Sequence, residues 1–432
     1  MSQAPKYVLG FDFGTSSVKS ALFGPGGELL AHASAAYPLH FPAPGHAEQS
    51  PADWWAAMAR VTRQILGQPG VRRDSIAALG IAAQMCGTIP VDAAGEPLHP
   101  CLTWLDTRSA AVAHRITSGG PRVAGYGLFT LLRWLWLTNG APNLSGKDPI
   151  SKILWLREAR PEIWRHSARF LDVKDWILHR CTGRFATTAD CAQLSWLMDN
   201  RAGRRCWSGA LARRVDMPLE RLPEIVSACE IAGTLTPEAA AHLDLPPGLP
   251  VSGGAGDVTA SALGSGAQAL GAEHLHLGSS LWFAAPSAGR RVDPFRCVGT
   301  LCAADPERYL VVATQESAGS AALWAARALG FGDGAQGVRA LDAAAQRGSA
   351  GRHTPDFVPW LQGERTPVDD ASLRAGYVAV GIGCTREDLA YATLAGVALN
   401  ARWALESMHR LIRPSLPEIT LVGGGARSAV WA

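Results

Sequence analysis

No Cys-x-x-Cys pair occurs among the nine cysteines of this chain, and their number is odd. A disulfide framework or a zinc site is therefore not expected, and a reducing, cytoplasmic setting is. Charge of one sign is not in excess either. Forty Lys and Arg against 37 Asp and Glu leave a net charge of +3, so neither nucleic acid nor a membrane surface is indicated as a partner. Long apolar runs are missing: the cluster Leu131–Leu137 is interrupted by Arg133 and is far too short to span a bilayer. Residues 1–6 are too short and polar for a signal peptide. Two phosphate-binding signatures fail as well. Gly140–Lys147 has P-loop glycines off by one, with Asp148 where Ser or Thr is needed. Gly423-Gly424-Gly425 leaves a strand, but its spacing is not that of a dinucleotide fingerprint.

What is present is an ordinary globular composition, 47% hydrophobic and 18% charged over 432 residues. That length suggests two or three domains. The stretch around which the chain is organised is Tyr7–Phe23. Alternate large residues (Tyr7, Leu9, Phe11, Phe13) read as a buried strand. A Gly14-Thr15-Ser16-Ser17 turn follows, then a second strand, Val18–Phe23. Asp12 lies inside the apolar strand, where a carboxylate is costly unless it is paired or holds a cation. Gly14 permits close backbone approach; Thr15, Ser16 and Ser17 offer hydroxyls and N–H groups, and Lys19 adds positive charge. This is equipment for a polyphosphate and its metal. A plain hairpin with a polar turn is the alternative.

Along the chain, Glu28–Tyr37 reads as a third strand. Ser50-Pro51-Ala52-Asp53 reads as a capping-box helix start, and the helix buries Trp54, Met58, Val61 and Ile65. Ile76–Ala82 is a strand leading to Gln84-Met85-Cys86-Gly87. Thr103–Arg108 places Trp104, Asp106 and Arg108 on a loop after an apolar start, a common setting for a binding site; a surface Asp106–Arg108 pair is the alternative. Ser151–Glu158 reads as helix, Arg169–Val173 as strand, Asp175–Arg180 as the start of a helix, and Gln193–Asp199 as strand. From Leu249, a short strand ends in the glycine loop Gly253-Gly254-Ala255-Gly256 and Asp257, and a small-residue helix (Val258–Leu263) follows. The domain boundary is set here, giving domains 1–252 and 253–432. His274–Ala284 then repeats the opening device: strand, Gly-Ser-Ser turn, strand. Thr385 and Asp388 start a long helix, and Ile419–Val422 is a strand before the glycine turn.

Taken together, these segments resemble the FGGY family of carbohydrate kinases, closest to its xylulokinase-like branch. The residues carrying the resemblance are FDFGTSSVK (Phe11–Lys19), HAEQSPADWW (His46–Trp55), AQMCG (Ala83–Gly87) and TWLDTRS (Thr103–Ser109). KILWLREARPEI (Lys152–Ile163), VKDWILHRCTGRF (Val173–Phe185) and GGAGD (Gly253–Asp257) continue it. HLGSS (His276–Ser280), QGERTP (Gln362–Pro367) and VGGGARS (Val422–Ser428) complete it, in the family's order.

The resemblance implies an α/β, actin-like ATPase (ribonuclease H-like) fold: two domains with related mixed sheets flanking a cleft, sugar on the first and ATP on the second. It implies phosphorylation of a sugar or polyol hydroxyl with ATP and Mg²⁺. By the same carry-over Asp257 is the catalytic base and also touches substrate, and Asp12 is the metal-linked acid. Gln84, Met85, Cys86, Trp104 and Asp106 face the sugar. Gly14, Thr15, Ser16 and Lys19 form the first phosphate loop and Ser279 and Ser280 the second; Gly319, Gly424, Gly425 and Ala426 lie on the nucleotide side. A ketopentose such as xylulose leads as substrate. Ribulose, gluconate, erythritol and glycerol are alternatives, as is a non-catalytic sugar-binding regulator or an actin-like ATPase. The resemblance admits a homodimer. The chain departs from the xylulokinase pattern at Cys86, where a His is usual, and at Val258, where an Asn is usual. A thiol is a weaker hydrogen-bond partner than imidazole. The sequence stops just past the glycine turn, which reads as a C-terminal truncation.

Overall fold

The computed structural model describes residues 6–348 and 354–431; the polar start assessed above, Lys6 apart, lies outside them. The chain divides into one unit of Met1–Ala260 with Cys302–Glu307, and a second of Ser261–Leu301 with Arg308–Ala432. A boundary at 252/253 would set Asp257 apart from the first half. Here it packs with the first unit, because Ala255 and Gly256 extend that unit's sheet beside Ala82 and Ala83.

In the first unit, Tyr7–Phe13 runs antiparallel to Ser17–Phe23, which in turn pairs with Leu29–Ala36. On its other side Tyr7–Phe13 is parallel to Ile76–Ala83, and Pro250–Ser252 and Ile231–Thr234 continue the sheet. Alternation places Leu9, Phe11 and Phe13 in the core, against the Trp54, Met58, Val61 and Ile65 face of the helix Pro51–Leu66. Ser50 makes no side-chain cap on that helix. Pro51, with its φ already near helical, and the Asp53 N–H to Ser50 carbonyl bond start it instead. A full capping box sits elsewhere: Asp172 and Asp175 cap Val173–Thr182, which starts two residues earlier than the sequence placed that helix. Gln193–Asp199 is not a strand. A helix covers Ala189–Leu194, and only Met198–Asp199 is extended. The run is too short for alternation to decide its type, and Trp196 sits at φ 60°, which breaks any strand. A separate core of Leu102, Trp134, Ile150, Ile153, Leu154 and Leu197 supports the helices Leu128–Thr138 and Pro149–Ala159.

The second unit repeats the device. Glu273–Leu277 and Leu281–Ser287 form an antiparallel hairpin, and Ile419–Val422 runs parallel to the first of them. Tyr309–Gln315 pairs antiparallel with Leu281–Ser287. Thr385 and Asp388 form the expected capping box on the helix Arg386–His409. Among the described residues, no helix is long and apolar enough to cross a membrane.

Candidate active site

Asp12 stands at the end of the central strand, directly across the hairpin from Lys19. Burial holds its pKa above the usual carboxylate range, and the Lys19 charge works against that. Asp257 opens the helix Asp257–Gly264 and accepts from the Val258 N–H at 2.8 Å. Its pKa is pushed up to about 7, chiefly by burial and next by the Asp12 charge, with Asp190 adding a smaller repulsion. A half-buried carboxylate whose proton affinity lies near neutrality is suited to taking a proton. Two glycines make the approach possible. A Cβ on Gly256 would lie 2.4 Å from Met85 Sδ, and one on Gly254, at φ 71°, would lie 2.2 Å from the Ile81 carbonyl.

The sequence reading missed Asp190. Its Oδ2 accepts from the Gly256 N–H at 2.8 Å and its Oδ1 from the Thr188 hydroxyl at 2.6 Å. Lys174, also missed, is fully buried; it donates to Asp175 at 2.8 Å and to the Gly253 carbonyl at 3.2 Å. The turn that presents Asp257 is thus held at both ends by buried charge. An acid and a base embedded among apolar residues (Ala189-Asp190-Cys191, Val173-Lys174) were the signals to follow.

Around the first turn, Gln84, Thr15 and Trp104 come together. The Gln84 N–H donates to the Phe13 carbonyl at 2.8 Å. Its side-chain amide donates to Gln49 Oε1 at 2.7 Å, and Gln49 donates to the Thr15 carbonyl at 2.7 Å. Trp104 Nε1 donates to Thr15 Oγ1 at 3.0 Å. Gln84 Oε1 is buried with no hydrogen-bond partner among the described residues, which leaves an acceptor for a ligand hydroxyl. Met85 is buried. Cys86 is half-buried at φ 64°, and its N–H donates to Asp172 Oδ2 at 3.0 Å. Asp106 pairs with Arg108, but the pair is buried, with side-chain exposures of 0% and 4%, and not on the surface. The Asp106 carboxylate also accepts from the Ala47 N–H at 2.7 Å, and Arg108 reaches Glu48 at 2.7 Å. Asp106 therefore fixes the loop that carries Trp104.

Ser16 and Lys19 are exposed. The Gly14 N–H closes the turn onto the Ser17 carbonyl at 3.0 Å. A Cβ on Gly14 would sit at an ordinary 3.5 Å from that carbonyl, so the turn itself does not demand glycine. In the second unit, three separated segments join. The Gly319 N–H donates to the Gly278 carbonyl at 2.9 Å, and the Ala318 and Ser320 N–H groups donate to the Ser279 carbonyl at 2.9 and 3.0 Å. A Cβ on Gly319 would stand 2.5 Å from the Gly278 carbonyl. Gly423, at φ 94°, and Gly425 press on Leu277, whereas a Cβ on Gly424 would meet nothing within 4 Å. Ser279 is exposed and Ser280 half-buried; the Ala426 N–H closes its turn onto the Gly423 carbonyl at 3.3 Å. Among the described residues no group of three His, Cys, Asp or Glu side chains is placed to hold a metal.

Comparison with known proteins fits this arrangement. The profile "FGGY family of carbohydrate kinases, N-terminal domain" matches residues 7–264, and its C-terminal counterpart matches residues 291–432. Xylulose kinase of Escherichia coli (strain K12) is 32% identical over 425 residues, 98% of this chain and 83% of that protein. Gluconokinase of Bacillus subtilis (strain 168) is 26% identical over 433 residues, 98% of this chain and 81% of that protein. The crystal structure of a "xyloylose kinase" from Brucella ovis matches with a TM-score of 0.85 at 28% identity, covering 98% of this chain and 83% of that one. The two mixed sheets are those of the actin-like ATPase fold. With both domains matched and relatives aligned over nearly its whole length, the chain belongs to the FGGY family of carbohydrate kinases and is a sugar phosphotransferase.

Proposed function

We propose that this kinase transfers the γ-phosphoryl group of ATP to a hydroxyl of a small sugar, with a ketopentose such as xylulose first among the candidates. The observation that carries the reading is Asp257. It is a half-buried carboxylate whose proton affinity lies near neutrality, on a turn whose Gly256 pairs with Ala83, the residue before Gln84, and Gln84 Oε1 is a buried acceptor with no hydrogen-bond partner among the described residues. Asp257 takes the proton as the sugar oxygen bonds to phosphorus and the bond to the ADP oxygen breaks.

Gln84 and Trp104 orient the sugar, Met85 packs against it, and Asp106 holds their loop in place. Thr15, Ser16 and Lys19, around Gly14, donate to phosphate oxygens. Ser279 and Ser280 form the second phosphate turn, buttressed by Gly319. Gly424, Gly425 and Ala426 receive the nucleoside, where Gly424 leaves a Cβ-sized space. Bound Mg²⁺ would offset the charge of the phosphates. It usually keeps several waters; the half-buried Asp12 would hold it through water, since among the described residues no group of three His, Cys, Asp or Glu side chains is placed to ligate it directly.

The test is ADP release with ATP and Mg²⁺ against D-xylulose, D-ribulose, L-ribulose, D-gluconate, glycerol and erythritol. The panel is broad because Cys86 and Val258 replace two polar positions of the xylulokinase pattern. Stimulation by one compound, lost in Asp257→Asn, is the expected result. ATP binding without stimulation by any sugar would overturn the proposal.

A further inference from the structure

Lys152 is wholly buried in the helix Pro149–Ala159, yet among the described residues its ammonium forms no ion pair with a carboxylate. Its Nζ donates to the Cys86 carbonyl at 2.8 Å and to the Thr103 carbonyl at 2.7 Å. Burial pulls its pKa below the ordinary lysine value, and nearby Asp148 and Asp106 only partly compensate. Lys174, buried to the same degree, has Asp175 as a direct partner. A buried ammonium carries a desolvation cost that two neutral carbonyls repay poorly. An apolar side chain would fill the same place in this helix without that cost.

The two carbonyls belong to the two segments that carry the sugar-side residues. Cys86 ends Gln84-Met85-Cys86, and Thr103 precedes Trp104. The Cys86 residue is held on both sides: its carbonyl by Lys152, and its N–H by Asp172 Oδ2 at 3.0 Å, with the Gly87 N–H on Asp172 Oδ1 at 2.7 Å. Those contacts keep Cys86 at φ 64°, a conformation that a residue with a Cβ rarely adopts unaided. Nothing else on the helix Pro149–Ala159 reaches both segments through side-chain hydrogen bonds among the described contacts.

We propose that Lys152 is a positioning residue for the sugar site, a buried clamp that joins the Gln84–Cys86 and Trp104–Asp106 segments into one surface. It touches no substrate; it sets the spacing of the groups that do. The inference rests on the functional reading above for its effect on kinetics, but its effect on the two loops stands without it.

The experiment uses Lys152→Met, which keeps the stem and removes the donors, and Lys152→Gln, which keeps one donor group. In hydrogen exchange, Lys152→Met should speed amide exchange in residues 84–88 and 103–107 while leaving the helix 149–159 protected. With D-xylulose and MgATP, its sugar KM should rise about ten- to hundredfold, the cost of a small misplacement of binding groups, with the ATP KM unchanged. Lys152→Gln should fall between wild type and Lys152→Met. Unchanged exchange in both loops would overturn the proposal. So would loosening spread through the helix, or a lower kcat with both KM values unchanged, since those mark a merely structural role. A wild-type enzyme inactive on D-xylulose would count against the substrate reading alone, and the exchange data would still decide the clamp.

Discussion

Replacing Asp257 by Asn should stabilise the protein while abolishing catalysis, and the gain should depend on pH in one direction. Folding raises the Asp257 pKa from an ordinary 3.8 to about 7, because burial and the Asp12 charge disfavour the ionised form. The folded state therefore holds this proton more tightly than the unfolded state. Above pH 7 the group is ionised in both states, and its full cost is felt. As pH falls from 7 towards 4 the cost fades, and below that it is gone. A shift of about three pH units at 1.36 kcal/mol each sets a ceiling of about 4 kcal/mol. Asn has the same shape and still accepts from the Val258 N–H, so little is lost in exchange. Recovery of half the ceiling would raise the Tm by about 4–8 °C for a unit of this size. Thermal unfolding of wild type and Asp257→Asn at pH 8 and pH 5 measures it. The difference should be large at pH 8 and small at pH 5. Equal differences at both pH values, or a less stable variant at pH 8, would refute the assignment of a desolvated, like-charge-stressed carboxylate.

Further predictions follow from the same geometry. The pH profile of kcat/KM should have an acid limb near 7 from Asp257, and Asp190→Asn, which removes a like charge, should move that limb to lower pH; an unmoved limb would show that Asp190 does not act on the base. Gly319→Ala forces a Cβ to within 2.5 Å of the Gly278 carbonyl, so it should cost about 1–3 kcal/mol in urea unfolding and raise the ATP KM. Gly424→Ala meets nothing within 4 Å; it should leave stability unchanged but weaken ATP binding measured by calorimetry, and equal affinity would remove the glycine turn from the nucleotide site.

Much of this was legible in the sequence because the decisive segments are local. The alternation of Leu9, Phe11 and Phe13 dictates the central strand, and the spacing of Trp54, Met58, Val61 and Ile65 dictates the first helix face. Gln84, Thr15 and Trp104 are placed by short turns directly after buried strands. Capping was legible at Thr385, where side chain and position agree, and misleading at Ser50, where proline and a backbone bond suffice. The supports behind the site were not legible. Lys152, Lys174, Asp172 and Asp190 lie in apolar helices or at their ends, and each acts on a backbone group more than sixty residues away, as Lys174 on Gly253 and Asp190 on Gly256. No local period encodes such a contact. The same holds for the unit boundary, because two residues, Ala255 and Gly256, join the sheet through a strand 173 residues earlier, paired at Ala82 and Ala83.

The joint between the Gly278–Ser280 turn and the start of the helix Gly319–Ala328 bears on how such a chain can drift. Every bond that Ser279 gives to that joint comes from its carbonyl, which accepts the Ala318 and Ser320 N–H groups and the Ser320 hydroxyl; its side chain is left outside. Position 279 can therefore exchange one hydroxyl side chain for another without disturbing the turn. Position 319 cannot gain even a methyl unless the chain around 278 moves with it. No substitution at 278 relieves this, because the atom in the way is a backbone carbonyl; 319 should stay glycine while 279 remains free to be tuned by whatever it binds.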